Sequence, residues 1–118
     1  MSLTRNHKKC HVYINVSQYD GQSVIKIGIS YFPEKRMREF NNGCKWRHKL
    51  GHAAHKVVFT PYFRSLPMRS QKCASIERAF KGLNANFLVT ELGNEVFTLE
   101  PASAIHQLCN QIGESYGR

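Results

Sequence analysis

The chain has 118 residues with a hydrophobic fraction of 42%, and its 17 Lys and Arg outnumber 8 Asp and Glu to give a formal charge of +9. This length predicts one domain around one core, and no apolar run of about 18 residues is present to span a membrane. The charge favours a polyanionic partner, and no segment has the wide apolar face of a basic membrane-surface helix, so nucleic acid is the favoured partner class.

The N-terminal segment "MSLTRNHKKCH" lacks the apolar stretch of a signal peptide. We therefore expect a cytoplasmic protein, in a bacterium or a phage-infected host cell. The four cysteines are about thirty residues apart without a CxxC pair, which indicates reduced thiols rather than a disulfide framework.

A β-hairpin is predicted over residues 11–30. "HVYINV" and "SVIKIGIS" both alternate between apolar and polar residues, and an Asp-Gly pair between them supplies the turn. The alternation places Tyr13, Lys26 and Gly28 on the polar face, which we expect to be exposed. The apolar face is expected to pack against helices.

Helices and further strands follow the hairpin. Pro33 is well placed to begin a helix whose apolar stripe is Phe32, Met37 and Phe40. "HKVVFT" and "EVFTLE" are predicted strands. A second helix is predicted from Met68 to Leu83, and a last helix after Pro101. The buried stripes of these two helices are Cys73, Ile76, Phe80 and Leu83, and Ile105, Leu108, Cys109 and Ile112.

These elements predict a single α/β domain over residues 1–118. Its sheet has three or four mostly antiparallel strands flanked by helices, with a core over about residues 11–101 and a C-terminal helix over about 102–115.

Three residues could converge on a phosphodiester: Tyr13 on the first strand, Arg36 on the first helix and Glu77 on the second helix. Phosphodiester cleavage needs a base for water, a positive group for the developing charge and a metal for the leaving oxygen. Each residue also has a plainer interpretation. Tyr13 could pack on the sheet, Arg36 could be a solvated charge, and Glu77 could form an i,i+4 pair with Lys81.

Together these residues resemble the GIY-YIG nuclease superfamily. "HVY" resembles its first tripeptide and "KIG" its second, "PEKR" is similar to the helix that carries its arginine, and "IER" to the segment with its glutamate. "GNEVFTLEP" resembles the last strand of a phage-type, DNA-binding branch in which KIG replaces YIG. The resemblance spans roughly residues 11–101.

The resemblance implies a metal-dependent DNA endonuclease. Glu77 would hold a divalent ion, usually Mg²⁺, Arg36 would stabilise the scissile phosphate, and Tyr13 would help to activate water. Gly28 would leave room for a close backbone approach. Asn94 or Glu95 would supply an auxiliary polar group.

Two departures leave the alternative of a DNA-binding module without catalysis. Lys26 replaces the second tyrosine, and Phe40 stands where several members carry histidine. Two further possibilities stay open: that the chain is a phage factor that inhibits a host protein, and that it forms a homodimer.

The expected nucleic-acid contacts extend beyond these residues. They are Lys26, Gly28, Ser30, Lys35, Lys45, Trp46, Arg47 and His48. A zinc site from Cys44, His48, His52 and His55 is the alternative for the histidine-rich segment. In one helix Cys44 and His55 would be about 16 Å apart, which argues against zinc.

Overall fold

The computed structural model of the chain describes residues 9–42 and 57–116, and the side chains of these ranges up to residue 113. Its centre is an antiparallel hairpin of β1 (Lys9–Tyr19) and β2 (Gln22–Ser30). Asp20 and Gly21 form the turn with φ angles of 55° and 78°. Both angles are left-handed, as the tight turn of a two-residue hairpin requires, and Asp-Gly is a sequence that tolerates them.

Three short strands extend this hairpin. β3 (Thr60–Arg64) pairs with β1 on the side away from β2, and β5 (Val96–Phe97) pairs with β2. β4 (Met68–Arg69) pairs with the first residues of β1. All four pairings are antiparallel, so the predicted α/β fold class is confirmed, with a sheet of five strands.

The third strand is not at the residues that the sequence predicted. "HKVVFT" ends at Thr60, the residue at which β3 begins, and Lys56 lies outside the described residues. β3 instead contains Pro61. Proline is tolerated here because β3 is at the edge of the sheet, and the register against β1 shifts between Ile14 and Asn15.

Helices cover both faces of the sheet. α1 (Pro33–Asn41) follows β2, and α2 (Ser70–Leu83) and α3 (Pro101–Tyr116) follow β4 and β5. α2 and α3 pack on the face that carries Val12, Ile14, Ile25 and Ile27. Burial of each large apolar side chain in this cluster contributes about 1.5–3 kcal/mol. Within the described ranges, no helix is both long and apolar enough to cross a membrane.

Three residues predicted to be buried are exposed. Leu83 is the last residue of α2 and is 67% exposed, and Phe32 precedes α1 and is 69% exposed. Helical periodicity does not apply to a residue outside the helix, which explains Phe32. Cys109 is exposed because Ala104 and Leu108 define the inward stripe of α3.

The polar face of the hairpin is buried, which corrects the expectation that it faces solvent. Tyr13, Asn15 and Lys26 are between 1% and 3% exposed. The reason is that α1 and the segment before β3 cover this face with a second apolar cluster. That cluster contains Val24, Phe40, Val57, Phe59, Leu92 and Val96. Polar groups in such a place require partners, and these partners form the site described next.

Candidate functional site

The ring of Tyr13 lies directly over Gly28. The two residues are opposite each other in β1 and β2, and a Cβ atom at Gly28 would lie 2.4 Å from the Tyr13 hydroxyl oxygen and 2.5 Å from Cζ. Real Cβ contacts are never this close. The space above Gly28, which we expected to admit a backbone, is therefore occupied by the tyrosine ring.

Cations surround Tyr13 inside the protein. The Lys26 ammonium donates to the Tyr13 hydroxyl over 3.4 Å and lies 5.5 Å from the centroid of its ring. It is also 5.4 Å from the ring centroid of Phe40, so two aromatic faces flank the charge. An ammonium at this distance would stabilise negative charge that develops on the phenol oxygen.

Arg64 is a second cation beside Tyr13 and was not predicted from the sequence. It is opposite Tyr13 in the pairing of β1 with β3, and its Cζ lies 5.3 Å from the Tyr13 ring centroid. Its Nε donates to Glu34 over 2.6 Å, and this hydrogen bond lowers the pKa of Glu34. Its buried Nη2 has no hydrogen-bond partner among the described residues. The sequence did not identify Arg64 as a neighbour of Tyr13, because the strand that carries Arg64 was predicted at the wrong residues.

A row of alternating charges connects the sheet to α2. Lys26 Nζ is 2.9 Å from one carboxylate oxygen of Glu95, and the other oxygen is 3.6 Å from Lys81 Nζ. Lys81 Nζ is in turn 3.8 Å from Glu77. Glu95 precedes β5, and its carbonyl accepts a hydrogen bond from the Ile27 amide. This backbone bond positions Glu95 beside Lys26.

The two carboxyl groups of this row have opposite pKa shifts. Burial raises the pKa of Glu77, and the nearby Lys81 only partly offsets it. Burial also opposes ionisation of Glu95, but Lys26, Lys81 and Arg36 together lower its pKa. Arg36 on α1 is therefore close enough for its charge to act on the row.

The predicted site residues fall into three groups. Tyr13, Lys26 and Gly28 form the buried centre, and Glu77 is joined to it through Lys81 and Glu95. Arg36 and Ser30 lie in a surface cleft of about 370 Å³, while Lys35 lines a neighbouring cleft. Lys45, Trp46, Arg47 and His48 lie outside the described residues, as do Cys44, His52 and His55. Asn94 is exposed.

Glu77 and Glu95 are the candidate ligands for a divalent ion among the described residues. Among the described residues, no group of three His, Cys, Asp or Glu side chains could hold a metal. Mg²⁺, however, is commonly held by one or two carboxylates with waters and substrate phosphates. Glu77 and Glu95 both approach the Lys81 ammonium, so both carboxylates can face one cation.

Loss of the Glu95 charge should destabilise the fold. Glu95→Gln leaves the buried Lys26 without its closest anion, and we expect a loss of about 1–2 kcal/mol, between the values for surface and buried pairs. Urea unfolding at pH 7 measures this loss. Glu91→Gln is the control, because it alters an exposed carboxylate that accepts a hydrogen bond from Tyr19.

The same variant should show a defined pH dependence. Because the folded-state pKa of Glu95 is lowered, its stabilisation is present above the ordinary value of 4.5 and is lost as the pH falls below it. The difference in unfolding free energy between Glu95→Gln and the unaltered protein should therefore become smaller as the pH falls. A difference in unfolding free energy that stays constant with pH would contradict a lowered pKa for Glu95.

The fold and the composition define a class: a small, basic α/β domain with a buried polar cluster. The chain belongs to the T5orf172 domain family, which matches residues 10–113. This family is related to nuclease-like folds of the GIY-YIG and HNH types, and it is consistent with a module that interacts with DNA. No curated protein and no solved structure matches the chain.

Proposed function

We propose that this chain is a metal-dependent DNA endonuclease of the GIY-YIG type. The observation that carries the proposal is the contact of the Tyr13 hydroxyl with the Lys26 ammonium, which Glu95 and Lys81 connect to Glu77. A tyrosine oxygen, a cation and a carboxylate are thus linked through one series of polar contacts. T5orf172 membership supports the nuclease-like part of the proposal.

In the proposed reaction, the Tyr13 oxygen accepts a hydrogen bond from the attacking water and orients it. The oxygen of that water bonds to phosphorus as the bond from phosphorus to the leaving oxygen breaks, and the released proton passes to solvent. Lys26 donates a hydrogen bond to the Tyr13 oxygen and holds it in place, so Lys26 need not act as a base itself. Lys26, which stands in "KIG" where the family has its second tyrosine, would thus have a function of its own.

Arg36 would stabilise the negative charge that builds up on the phosphate. Its half-buried position in a cleft limits screening by water, and a guanidinium can bind two phosphate oxygens at once. A divalent ion bound at Glu77, with Glu95 beside it, would supply Lewis-acid stabilisation of the leaving oxygen.

A DNA-binding module without catalysis is the second candidate, and Phe40 favours it. Phe40 is 3% exposed and packs edge-to-face on Phe59 at a centroid distance of 5.8 Å. The position at which several nucleases of this type have a histidine is therefore part of the apolar core, and it supplies no proton-transfer group.

Plasmid nicking distinguishes these two functions. We expect the purified protein to nick supercoiled DNA in Mg²⁺. We expect this nicking to stop when EDTA removes the metal. A binding module would bind DNA without cutting it in Mg²⁺ or Mn²⁺. Its log affinity would fall with log salt at a slope near −5 if about six phosphates are contacted.

Lys81→Met should move the acid limb of the cleavage pH profile to higher pH. Glu77 must be ionised to hold a cation, so activity falls as the pH falls through its pKa. Burial raises this pKa and Lys81 lowers it, so removal of Lys81 raises it further. The measurement is the nicking rate against pH.

Arg78→Met removes a neighbouring exposed cation and serves as the control, with no shift expected. An unchanged profile, or a shift to lower pH in Lys81→Met, would show that ionisation of Glu77 does not limit the reaction.

A further inference from the structure

Two consecutive aromatic residues are presented to solvent between β2 and α1. Tyr31 is 40% exposed and Phe32 is 69% exposed. The backbone beneath them is held in place, because the Phe32 amide donates to Ser30 Oγ over 2.9 Å and the Phe32 carbonyl accepts from the Arg36 amide over 3.1 Å. Large aromatic side chains on a fixed backbone are typical of a binding surface.

Tyr31 lies between two clefts. The inner cleft, of about 370 Å³, contains Arg36, and the outer cleft, of about 430 Å³, contains Phe32. Both volumes are in the range of about 300–1,000 Å³ that small ligands occupy. Tyr31 lines both clefts, so a ligand that occupies both would pass beside this residue.

The charges of the outer cleft favour an anion. Lys35 and Arg38 line it together with one acid, Glu34, whose carboxylate is bound by Arg64 at 2.6 Å. The inner cleft adds the guanidinium of Arg36. A ligand that extends across Tyr31 would therefore contact cations on both sides.

A pair of like charges lies at the end of the sheet beside the inner cleft. Lys9 and Arg69 are directly opposite each other in the pairing of β1 with β4, and both are exposed. Like charges in this position destabilise a sheet. The next residues, Cys10 and Ser70, line the inner cleft. A further phosphate of a bound strand, lying beside this end of the sheet, would relieve the repulsion.

We propose that the substrate is DNA with unpaired bases, either single-stranded or at a fork. An unpaired base would stack on Tyr31 or Phe32 in the outer cleft, while the adjoining phosphate lies at Arg36 in the inner cleft. Aromatic faces among cations suit this substrate because unpaired bases expose their rings, whereas the bases of an intact duplex are already stacked. This inference rests on the proposed function.

Fluorescence anisotropy in EDTA tests the inference without cleavage. The probes are a labelled single strand, its blunt duplex and a fork of the same sequence. We expect the single strand and the fork to bind more tightly than the duplex. Tyr31→Ala and Phe32→Ala should each weaken single-strand binding by about 5- to 150-fold, the value of one stacked base.

Matched variants distinguish the loss of base stacking from the effect of removing any exposed aromatic side chain. Tyr31→Phe keeps an aromatic face and should bind almost normally. Phe87→Ala removes a 50% exposed aromatic residue elsewhere and should change nothing. Circular dichroism confirms that each variant is folded.

The outcomes distinguish this inference from the proposed function. Equal binding of duplex and single strand, with no effect of Tyr31→Ala or Phe32→Ala, would overturn the inference even if plasmid nicking is observed. A preference for single strands, with no cleavage in Mg²⁺ of the plasmid, the single strand or the fork, would support the inference and overturn the nuclease. Failure to bind all three DNAs would overturn both.

Discussion

Glu77→Gln should abolish the Mg²⁺-dependent nicking of plasmid DNA. The amide has nearly the size of the carboxylate but lacks its charge, so the proposed metal would lose its principal ligand. We expect a fall of at least about 10³-fold in the cleavage rate, which corresponds to several kcal/mol of lost transition-state stabilisation. DNA binding in EDTA should stay within about threefold, because the positive surface is unchanged.

Two controls make this result specific. Glu100→Gln alters an exposed carboxylate outside the charge row and should cleave normally. Thermal unfolding of Glu77→Gln should show no loss of stability, since ionisation of the half-buried Glu77 is disfavoured in the fold, as its raised pKa indicates. Normal cleavage by Glu77→Gln would place the metal elsewhere or identify a contaminating nuclease.

Gly28→Ala should disrupt both stability and activity. The added methyl group would overlap the hydroxyl oxygen and Cζ of Tyr13, at 2.4 and 2.5 Å. Tyr13 is 2% exposed and cannot swing into solvent without leaving the core. We expect a loss of about 3 kcal/mol, at the upper end of the usual effect of overpacking, measured by urea unfolding. Displacement of the Tyr13 oxygen from Lys26 should also abolish nicking.

Gly82→Ala is the matched control. Gly82 is in α2, and a Cβ atom there would have nothing within 4 Å. Alanine stabilises a helix over glycine by up to about 1 kcal/mol, so this variant should be at least as stable as the unaltered chain. Equal stability of Gly28→Ala and Gly82→Ala would mean that the Tyr13 ring does not lie over Gly28 in solution.

Local patterns in the sequence predicted much of the fold. Alternation located both strands of the hairpin, the Asp-Gly pair located its turn, and the proline residues located the starts of two helices. These features depend on neighbours within a few residues. The apolar stripe of α2 was likewise confirmed at Cys73 and Phe80.

Interactions between distant segments could not be predicted. Alternation distinguishes two faces of a strand but does not show that a helix will cover the polar face, so Tyr13 and Lys26 were expected at the surface. Lys26 and Glu95 are 69 residues apart, and only the pairing of β5 with β2 brings them together. Arg64 was missed for the same reason, because its place beside Tyr13 depends on the register of β3.

The burial of Lys26 has a consequence for the chemistry of "KIG". An ammonium that is 3% exposed and tied to Glu95 is held at one point, whereas a surface lysine samples many positions. Such a fixed charge acts on the Tyr13 oxygen without having to be reorganised during the reaction. Replacement of a tyrosine by lysine at this position is therefore compatible with a nuclease.

The most direct test is a crystal structure of the protein with Ca²⁺ and a DNA oligonucleotide. We expect Ca²⁺ at about 2.3–2.6 Å from a carboxylate oxygen of Glu77, with a DNA phosphate on the same ion and about 2.7–2.9 Å from the Arg36 guanidinium. The Tyr13 oxygen should face that phosphate. DNA bound on another surface, with neither ion nor phosphate near Glu77 and Arg36, would contradict the proposed nuclease site.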